Sequence, residues 1–328
     1  MTLLLTRSDL ARLLDPRAVI AAVERAFGEY SAGRTETPVR SHLGVPDPPG
    51  VLLVMPCALH ESRALGTKIV SVYRQNPSRG LPTICSVYAL SDYETGRPLA
   101  VLDGAYLTGL RTACASAVAT RYLAQPDARV LGIFGTGLQA EFHALVIPLV
   151  RPIERILVWG TSPEKMAAFA ARLGNRCSAP IEPGASPEQV AASADVNVTA
   201  TTSPTPVFPG RAVRPGAHVN AVGAFTPTTR ELDSDLVARA RLVADTYAGV
   251  WAEAGDILIP LTEGRITRDA VVAELGEIVL GRKPGRLAPE EITIFESVGA
   301  AFEDAATASL AYRRALEQDT GVAIDLDR

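Results

Sequence analysis

The chain is short of aromatics, of histidine and cysteine, and of any surplus of one charge. Phe, Trp and Tyr make up 5% of 328 residues, and 32 basic side chains stand against 36 acidic ones for a formal charge of −4. Such a balance excludes a polyanion or an anionic membrane surface as the default partner, because affinity for either comes from uncompensated Lys and Arg. The 4 cysteines, Cys57, Cys85, Cys114 and Cys177, form no C-x-x-C pair and sit in apolar stretches. They read as buried thiols, not as a redox or metal motif. The 4 histidines, His42, His60, His143 and His218, lack the spacing of a zinc site, so no metal is expected. No apolar run approaches the length that spans a bilayer. Near the N-terminus, Arg7 and Asp9 end a short Leu run too early for a signal peptide. A cytoplasmic protein is expected, with neither nucleic acid nor membrane as partner.

What is present is small and aliphatic. Hydrophobic residues reach 47%, with 26 Gly and 24 Pro, a composition that suits helices packed on sheet in an α/β fold. Residues 2–33 read as helices, with Ser8 and Asp15 as N-caps and Pro16 at the first helical position. From about Thr37 to Asp103, short β-branched segments separated by Pro and Gly predict a mainly antiparallel sheet, with a hairpin turn at Tyr93-Glu94-Thr95-Gly96. A long helix is expected from about Thr108 to the Gln125-Pro126 stop, joining two domains. From Ala128 the rhythm is strand then helix (ARVLGIF, QAEFHALVIPLV, RILVW, PEKMAAFAARLG, DVNVTAT, HVNAVG, RLVAD), which argues a parallel sheet covered on both faces. The segment from Ile292 reads as a strand and a long helix that return to the first domain.

The strongest local signal is VLGIFGTGLQAEFHALVI, where a strand runs into Gly135-Thr136-Gly137-Leu138-Gln139-Ala140 and then into a helix. This is a G-x-G-x-x-A dinucleotide fingerprint: Gly135 permits the turn, Gly137 lets a pyrophosphate approach the backbone, and Ala140 allows close helix–strand packing. The next strand ends in Trp159-Gly160-Thr161-Ser162-Pro163, without the carboxylate that NAD-selective sites offer the ribose. Thr161, Ser162 and Lys165 can meet a 2′-phosphate, while Glu164 is expected to face its own helix dipole. NADP(H) is therefore favoured, with NAD(H) possible.

A second constellation lies in the first domain: Arg40, Lys68, Arg79, Thr83 and Arg111. Lys68 and Arg111 stand among residues that should be buried, where a cation is costly unless it meets an anion. Singly, each reads as half of an internal ion pair. Together they suit a carboxylate clamp, with a guanidinium binding bidentately and an ammonium reaching the neighbouring imine or carbonyl.

On these residues the chain resembles the ornithine cyclodeaminase and mu-crystallin family over nearly its full length. The stretches that carry the resemblance are GTKIVSVYRQNPSRGLPT (66–83), LDGAYLTGLRTACASAVATRYLA (102–124), GIFGTGLQAEFHA (132–144), VNAVGAFTPTTREL (219–232), AELGEIVLGR (273–282) and ITIFESVGAAFEDAA (292–306). The resemblance implies a homodimer. It implies a substrate-binding and dimerisation domain of residues 1–125 plus 292–328, and a doubly wound Rossmann domain of 126–291. It assigns Arg40, Lys68 and Arg111 to the substrate carboxylate, with Lys68 and Arg111 as the catalytic pair. It places Thr83, Arg111 and Thr112 near the nicotinamide and phosphates. The cofactor loop is Gly135, Thr136, Gly137, Leu138 and Gln139, and Thr161 discriminates the two cofactors. Thr199, Ala200 and Thr201 lie beside the adenosine and ribose, and Val222 is a backbone contact near the nicotinamide.

One departure separates the subfamilies. Cyclodeaminases carry an aspartate where this chain has Phe225, and a phenyl ring cannot stabilise a cationic amine. The GAFTP stretch instead resembles members that reduce cyclic imino acids, unless Glu231 or Asp256 supplies the missing acid. The resemblance therefore implies an NAD(P)H-dependent reductase of Δ1-pyrroline-2-carboxylate or Δ1-piperideine-2-carboxylate. The alternatives are an alanine-type amino-acid dehydrogenase, an ornithine or lysine cyclodeaminase, and a non-catalytic mu-crystallin-like binding protein.

Overall fold

The structure is a computed structural model describing residues 1–326. It separates into two compact units, Met1–Arg111 joined by the chain from Ala300, and Thr112–Gly299. The chain begins with strand β1 (Thr2–Leu5), helices α1 (Arg7–Leu13) and α2 (Pro16–Ser31), and strands β2 (Thr35–Glu36), β3 (Ser41–Val45), β4 (Gly50–Leu59), β5 (Ala64–Val72), β6 (Ile84–Ser91) and β7 (Pro98–Asp103). Helix α3 (Gly104–Leu123) follows, and the division between units falls inside it.

Two expectations for the N-terminus are corrected. Residues 2–5 are extended, because Leu3, Leu4 and Leu5 pair in parallel with Ala100, Val101 and Leu102 of β7. A ladder partner that far along the chain overrides local helix propensity. Thr6, not Ser8, caps α1: the Asp9 amide donates to its hydroxyl at 3.3 Å, and the Thr6 amide donates to the Asp9 carboxylate at 2.9 Å. Helix α2 starts as expected, with the Ala18 amide donating to Asp15 at 3.1 Å and Pro16 at the first position. Helix α3 begins before Thr108, capped by Asp103, whose carboxylate accepts the Tyr106 amide at 2.7 Å.

Strands β4 to β7 form an antiparallel ladder, with β2 and β3 both pairing with β4. The hairpin at 93–96 is present: the Asp92 carboxylate accepts the Glu94 and Thr95 amides at 3.2 and 2.8 Å, and Gly96 takes a φ of 74°. Alternation along β5 buries Ala64, Gly66, Lys68 and Val70 on one face and turns Leu65, Thr67, Ile69 and Ser71 to the other.

The second unit contains β8 (Val130–Phe134), α4 (Leu138–Val146), β9 (Arg155–Trp159), α5 (Pro163–Leu173), β10 (Ile181–Pro183), α6 (Pro187–Ser193), β11 (Val196–Thr199), β12 (His218–Ala221), α7 (Ser234–Arg239), β13 (Arg241–Ala244), α8 (Tyr247–Glu253), α9 (Gly255–Thr262), β14 (Val271–Glu274), α10 (Leu275–Val279) and β15 (Thr293–Glu296). Its 8-stranded parallel sheet runs β10-β9-β8-β11-β12-β15-β13-β14. The first five strands have the 3-2-1-4-5 order of a doubly wound Rossmann fold, with the order reversing beside β8.

Strand β15 corrects the expectation for the segment after Ile292. It lies between β12 and β13, and all four of its residues are buried, as a central parallel strand requires. Only the chain beyond it returns to the first unit, as α11 (Ala301–Glu317) and β16 (Val322–Ile324). Helix α11 packs on α2 and across β4, β5 and β6, with the Phe302 ring 5.0 Å from those of both Phe27 and Tyr30. The cysteines divide: Cys57 and Cys114 are buried as expected, Cys177 is half-buried, and Cys85 is exposed because its side chain points to the uncovered face of β6. Among the described residues no helix is long and apolar enough to cross a membrane.

Candidate active site

In the first unit, β5 delivers Lys68 and α3 delivers Arg111 to the same pair of carboxylates on α11. Lys68 Nζ donates to Asp304 Oδ2 at 2.7 Å, Arg111 Nε to Asp304 Oδ1 at 3.0 Å, and Arg111 Nη1 to Glu303 Oε2 at 2.9 Å. All four side chains are 4% exposed or less. Burial, and then repulsion from Arg111, lowers the Lys68 ammonium to about 8 against the pull of Asp304. Burial also opposes the charge of Arg111, yet Asp304 and Glu303 outweigh it and hold the guanidinium above its ordinary value. Burial pushes the Glu303 carboxyl up while Arg111 pulls it down.

The two cations are thus paired, as the single-residue reading expected, but their donors are not used up. Arg111 Nη2 and two of the three Lys68 protons have no hydrogen-bond partner among the described residues. Partly neutralised by Glu303 and Asp304 and with donors left over, such a pair can receive one small carboxylate.

The other members are placed differently. Arg40 is half-buried and adds positive field at Lys68. Arg79 is exposed in the turn Asn76–Arg79, and Thr83 is half-buried, its carbonyl accepting the Tyr73 amide at 2.9 Å. Neither bonds to the Lys68–Arg111 pair. Glu303 and Asp304 were not singled out from sequence. Their signal was an acidic pair inside an otherwise Ala-rich helical stretch.

In the second unit the glycine loop fits a dinucleotide on the structure's own terms. Gly135 has a φ of 116°, and a Cβ there would stand 2.5 Å from the Ala200 carbonyl oxygen, so the ends of β8 and β11 approach too closely for any side chain. Gly137 caps α4 with no side chain and with open space where a Cβ would be, leaving the first-turn amides free for a phosphate. Thr136, Leu138 and Gln139 are half-buried around it, and Gln139 Oε1 is a buried acceptor with no partner among the described residues. Thr112 and Thr199 are buried, Ala200 and Thr201 half-buried at the strand end, and the Val222 amide donates to the Thr199 carbonyl at 3.1 Å.

At the end of β9, Thr161 and Lys165 are exposed. Ser162 is committed: its hydroxyl accepts the Lys165 amide at 3.2 Å and donates to Glu164 Oε2 at 2.7 Å. That bond, and the helix amide it faces, hold the Glu164 carboxyl below its usual value. A carboxylate therefore does stand at this strand end, contributed from the helix side.

Phe225 is half-buried and packs against the core of the second unit. Glu231 and Asp256 do not replace an aspartate at its position, because both are fully buried and bound to backbone. Glu231 accepts the Thr201 amide at 2.6 Å and the Gly223 amide at 2.8 Å; Asp256 accepts the amides of Glu231 and Leu232 at 2.8 and 2.7 Å. Burial raises the Glu231 carboxyl, which these donors pull down.

Known proteins resemble the chain over nearly its whole length. A Δ1-pyrroline-2-carboxylate reductase of Bacillus cereus is 40% identical over 98% of this chain and 99% of its own. The structure of Thermococcus litoralis Δ1-pyrroline-2-carboxylate reductase in complex with NADH and L-proline matches with a TM-score of 0.96 and 42% identity, over 98% of this chain and 100% of that one. An archaeal alanine dehydrogenase dimer with bound NAD matches at 0.93 and 34% identity, over 99% of each. The profile of the ornithine cyclodeaminase/mu-crystallin family matches residues 1–319, and the chain belongs to that family.

Proposed function

We propose that the protein is an NAD(P)H-dependent reductase of the C=N bond of small cyclic imino acids of the Δ1-pyrroline-2-carboxylate and Δ1-piperideine-2-carboxylate type. The observation that carries this reading is the Lys68–Arg111 pair, two buried cations with donors left over for one carboxylate. Arg111 binds the substrate carboxylate through Nη2, Arg40 adds positive charge, and Lys68 presents a proton to the imine nitrogen. When bound, the nicotinamide supplies hydride to the imine carbon. Positioning accounts for much of the rate of such a step. Phe225 suits a ring without a second polar group, which sets cyclodeamination aside.

The glycine loop, with Thr199–Thr201 and Val222 beside it, holds the cofactor. The sequence favoured NADP(H); the Ser162–Glu164 bond shifts our reading to both cofactors binding with NADH the tighter, since a carboxylate repels a 2′-phosphate. A homodimer is supported by the outer face of the first sheet, where Leu43, Ile69 and Val87 are 62%, 39% and 45% exposed in adjoining register with Leu52 and Val54. Helices α1, α2 and α11 pack on the opposite face. Dependence on a reduced dinucleotide fits a cytoplasmic enzyme.

The test is oxidation of NADH and NADPH by purified protein with the two cyclic imino acids in ammonia-free buffer. Turnover there supports the reading. Turnover only with pyruvate and added ammonia would replace it with an alanine-type dehydrogenase, and tight cofactor binding without any turnover with a binding protein.

A further inference from the structure

Resting on that reading, we infer that Asp304 is the positioning residue of the reaction: one carboxylate, with an oxygen on each of Lys68 and Arg111, that orients the proton donor and the carboxylate anchor together. Its two contacts, 2.7 Å to Lys68 Nζ and 3.0 Å to Arg111 Nε, bring together residues from β5, α3 and α11 at a site where Asp304 itself is 0% exposed.

The division of labour between the two acids follows from the atoms. Glu303 touches Arg111 alone, and its second oxygen accepts the Ala300 amide at 2.9 Å, where it caps α11. Asp304 is the side chain that bonds both cations. It takes the Nε–H while Glu303 takes Nη1, so Arg111 presents Nη2 to an incoming carboxylate. It also accepts a hydrogen bond from one Lys68 N–H and thereby fixes the direction of the other two. When one of these passes to the imine nitrogen, an N–H bond forms there as one breaks on Lys68, the carbon would take the hydride that a bound reduced nicotinamide supplies, and solvent restores the ammonium. The negative charge of Asp304 keeps Lys68 protonated near neutral pH against burial and the like charges of Arg111 and Arg40. Tyr88, directly across from Lys68 on β6, and Cys57 on β4 both feel the Asp304 charge, and burial holds both in their neutral forms.

The chain's lysines are Lys68, Lys165 and Lys283, so a lysine-labelled sample allows the Lys68 side chain to be titrated directly by NMR, with Lys68→Met identifying its signal. In the apo protein, Asp304→Asn is expected to lower the Lys68 midpoint by about one pH unit or more, while Glu303→Gln moves it less. In the active enzyme, Asp304→Asn is expected to lower kcat at least ~100-fold at pH 7.5 with the dissociation constant of NADH unchanged. A Lys68 midpoint within about 0.3 units of the parent in Asp304→Asn overturns the inference. That titration needs no turnover, so it decides the role of Asp304 even if no imino acid proves to be a substrate. If the Asn variant does not fold, Asp304→Glu keeps the charge but displaces it from one nitrogen. Its kcat should fall at least ~10-fold, and wild-type kcat in that variant overturns the inference as well.

Discussion

The carboxylate of Glu231 occupies the space that a Cβ on Gly223 would need. Oε2 accepts the Gly223 amide at 2.8 Å, and a Cβ there would lie 2.5 Å from both carboxylate oxygens. Because Oε1 accepts the Thr201 amide at 2.6 Å, one buried side chain ties the loop after β11 to the loop after β12. Gly223→Ala must expel it. NADH affinity, measured by fluorescence titration, is expected to fall at least ~10-fold, about 1.4 kcal/mol. Affinity equal to the parent's would show that the tie does not shape the cofactor site.

Gly135→Ala is expected to be more severe. The added methyl meets a backbone oxygen at 2.5 Å, which cannot swing away, and the φ of 116° is unfavourable for any L side chain. Binding of NADH should weaken by ~100-fold or more while far-ultraviolet circular dichroism stays native. Retained affinity would mean that the loop can relax.

Arg111→Lys keeps the charge and loses the fork. A lysine cannot hold Glu303 and Asp304 and still offer a free edge to a carboxylate, so kcat/KM for the imino acid is expected to drop ~100-fold or more, mainly through KM. A change in kcat alone would move Arg111 out of the anchoring role.

Glu164→Gln tests the cofactor choice. With the charge at the end of β9 removed, the ratio of kcat/KM for NADPH to that for NADH should rise about tenfold. An unchanged ratio would leave discrimination to Thr161 and Lys165.

Stability should fall at both ends of the pH range. Burial first, and the Glu231 charge second, push Asp256 up to about 8, with its Oδ2 unpartnered among the described residues. Burial and the neighbouring acids Asp256, Asp245 and Glu231 raise Glu296 well above its ordinary range, both of its oxygens likewise unpartnered. A carboxyl whose folded value is raised holds its proton in the native state. Its contribution is full below the unfolded value near 4 and is lost as pH climbs through 8. His143 and His218, lowered by burial to about 4 and about 3, act oppositely, contributing above about 6.5 and losing that contribution as pH falls. Asp256→Asn keeps the acceptor for two amides and removes the ionisable oxygen, so its melting temperature should decline less than the parent's between pH 6 and 9. A steeper decline, read by scanning fluorimetry, would exclude Asp256 as the source.

Features set by a few neighbouring residues were legible. The Rossmann strand–glycine–helix unit, the Asp15-Pro16 start of α2 and the 93–96 hairpin depend on local φ, capping and turn chemistry, and each is found as read. Features set by distant partners were not. Residues 2–5 look helical until β7 offers them a ladder, and Thr108 looks like a cap until Asp103 takes the role. Ser162 looks free for a phosphate until Glu164 folds back on it.

By itself the sequence determined that Lys68 and Arg111 would be buried cations and that a strand would run through Gly135 and Gly137 into a helix, because burial period and backbone freedom are written in adjacent residues. Which anions the cations meet was decided only by tertiary structure. Asp304 lies 236 residues from Lys68 and 193 from Arg111. Periodicity reports that a face is buried, while the charge that faces it depends on how the chain closes.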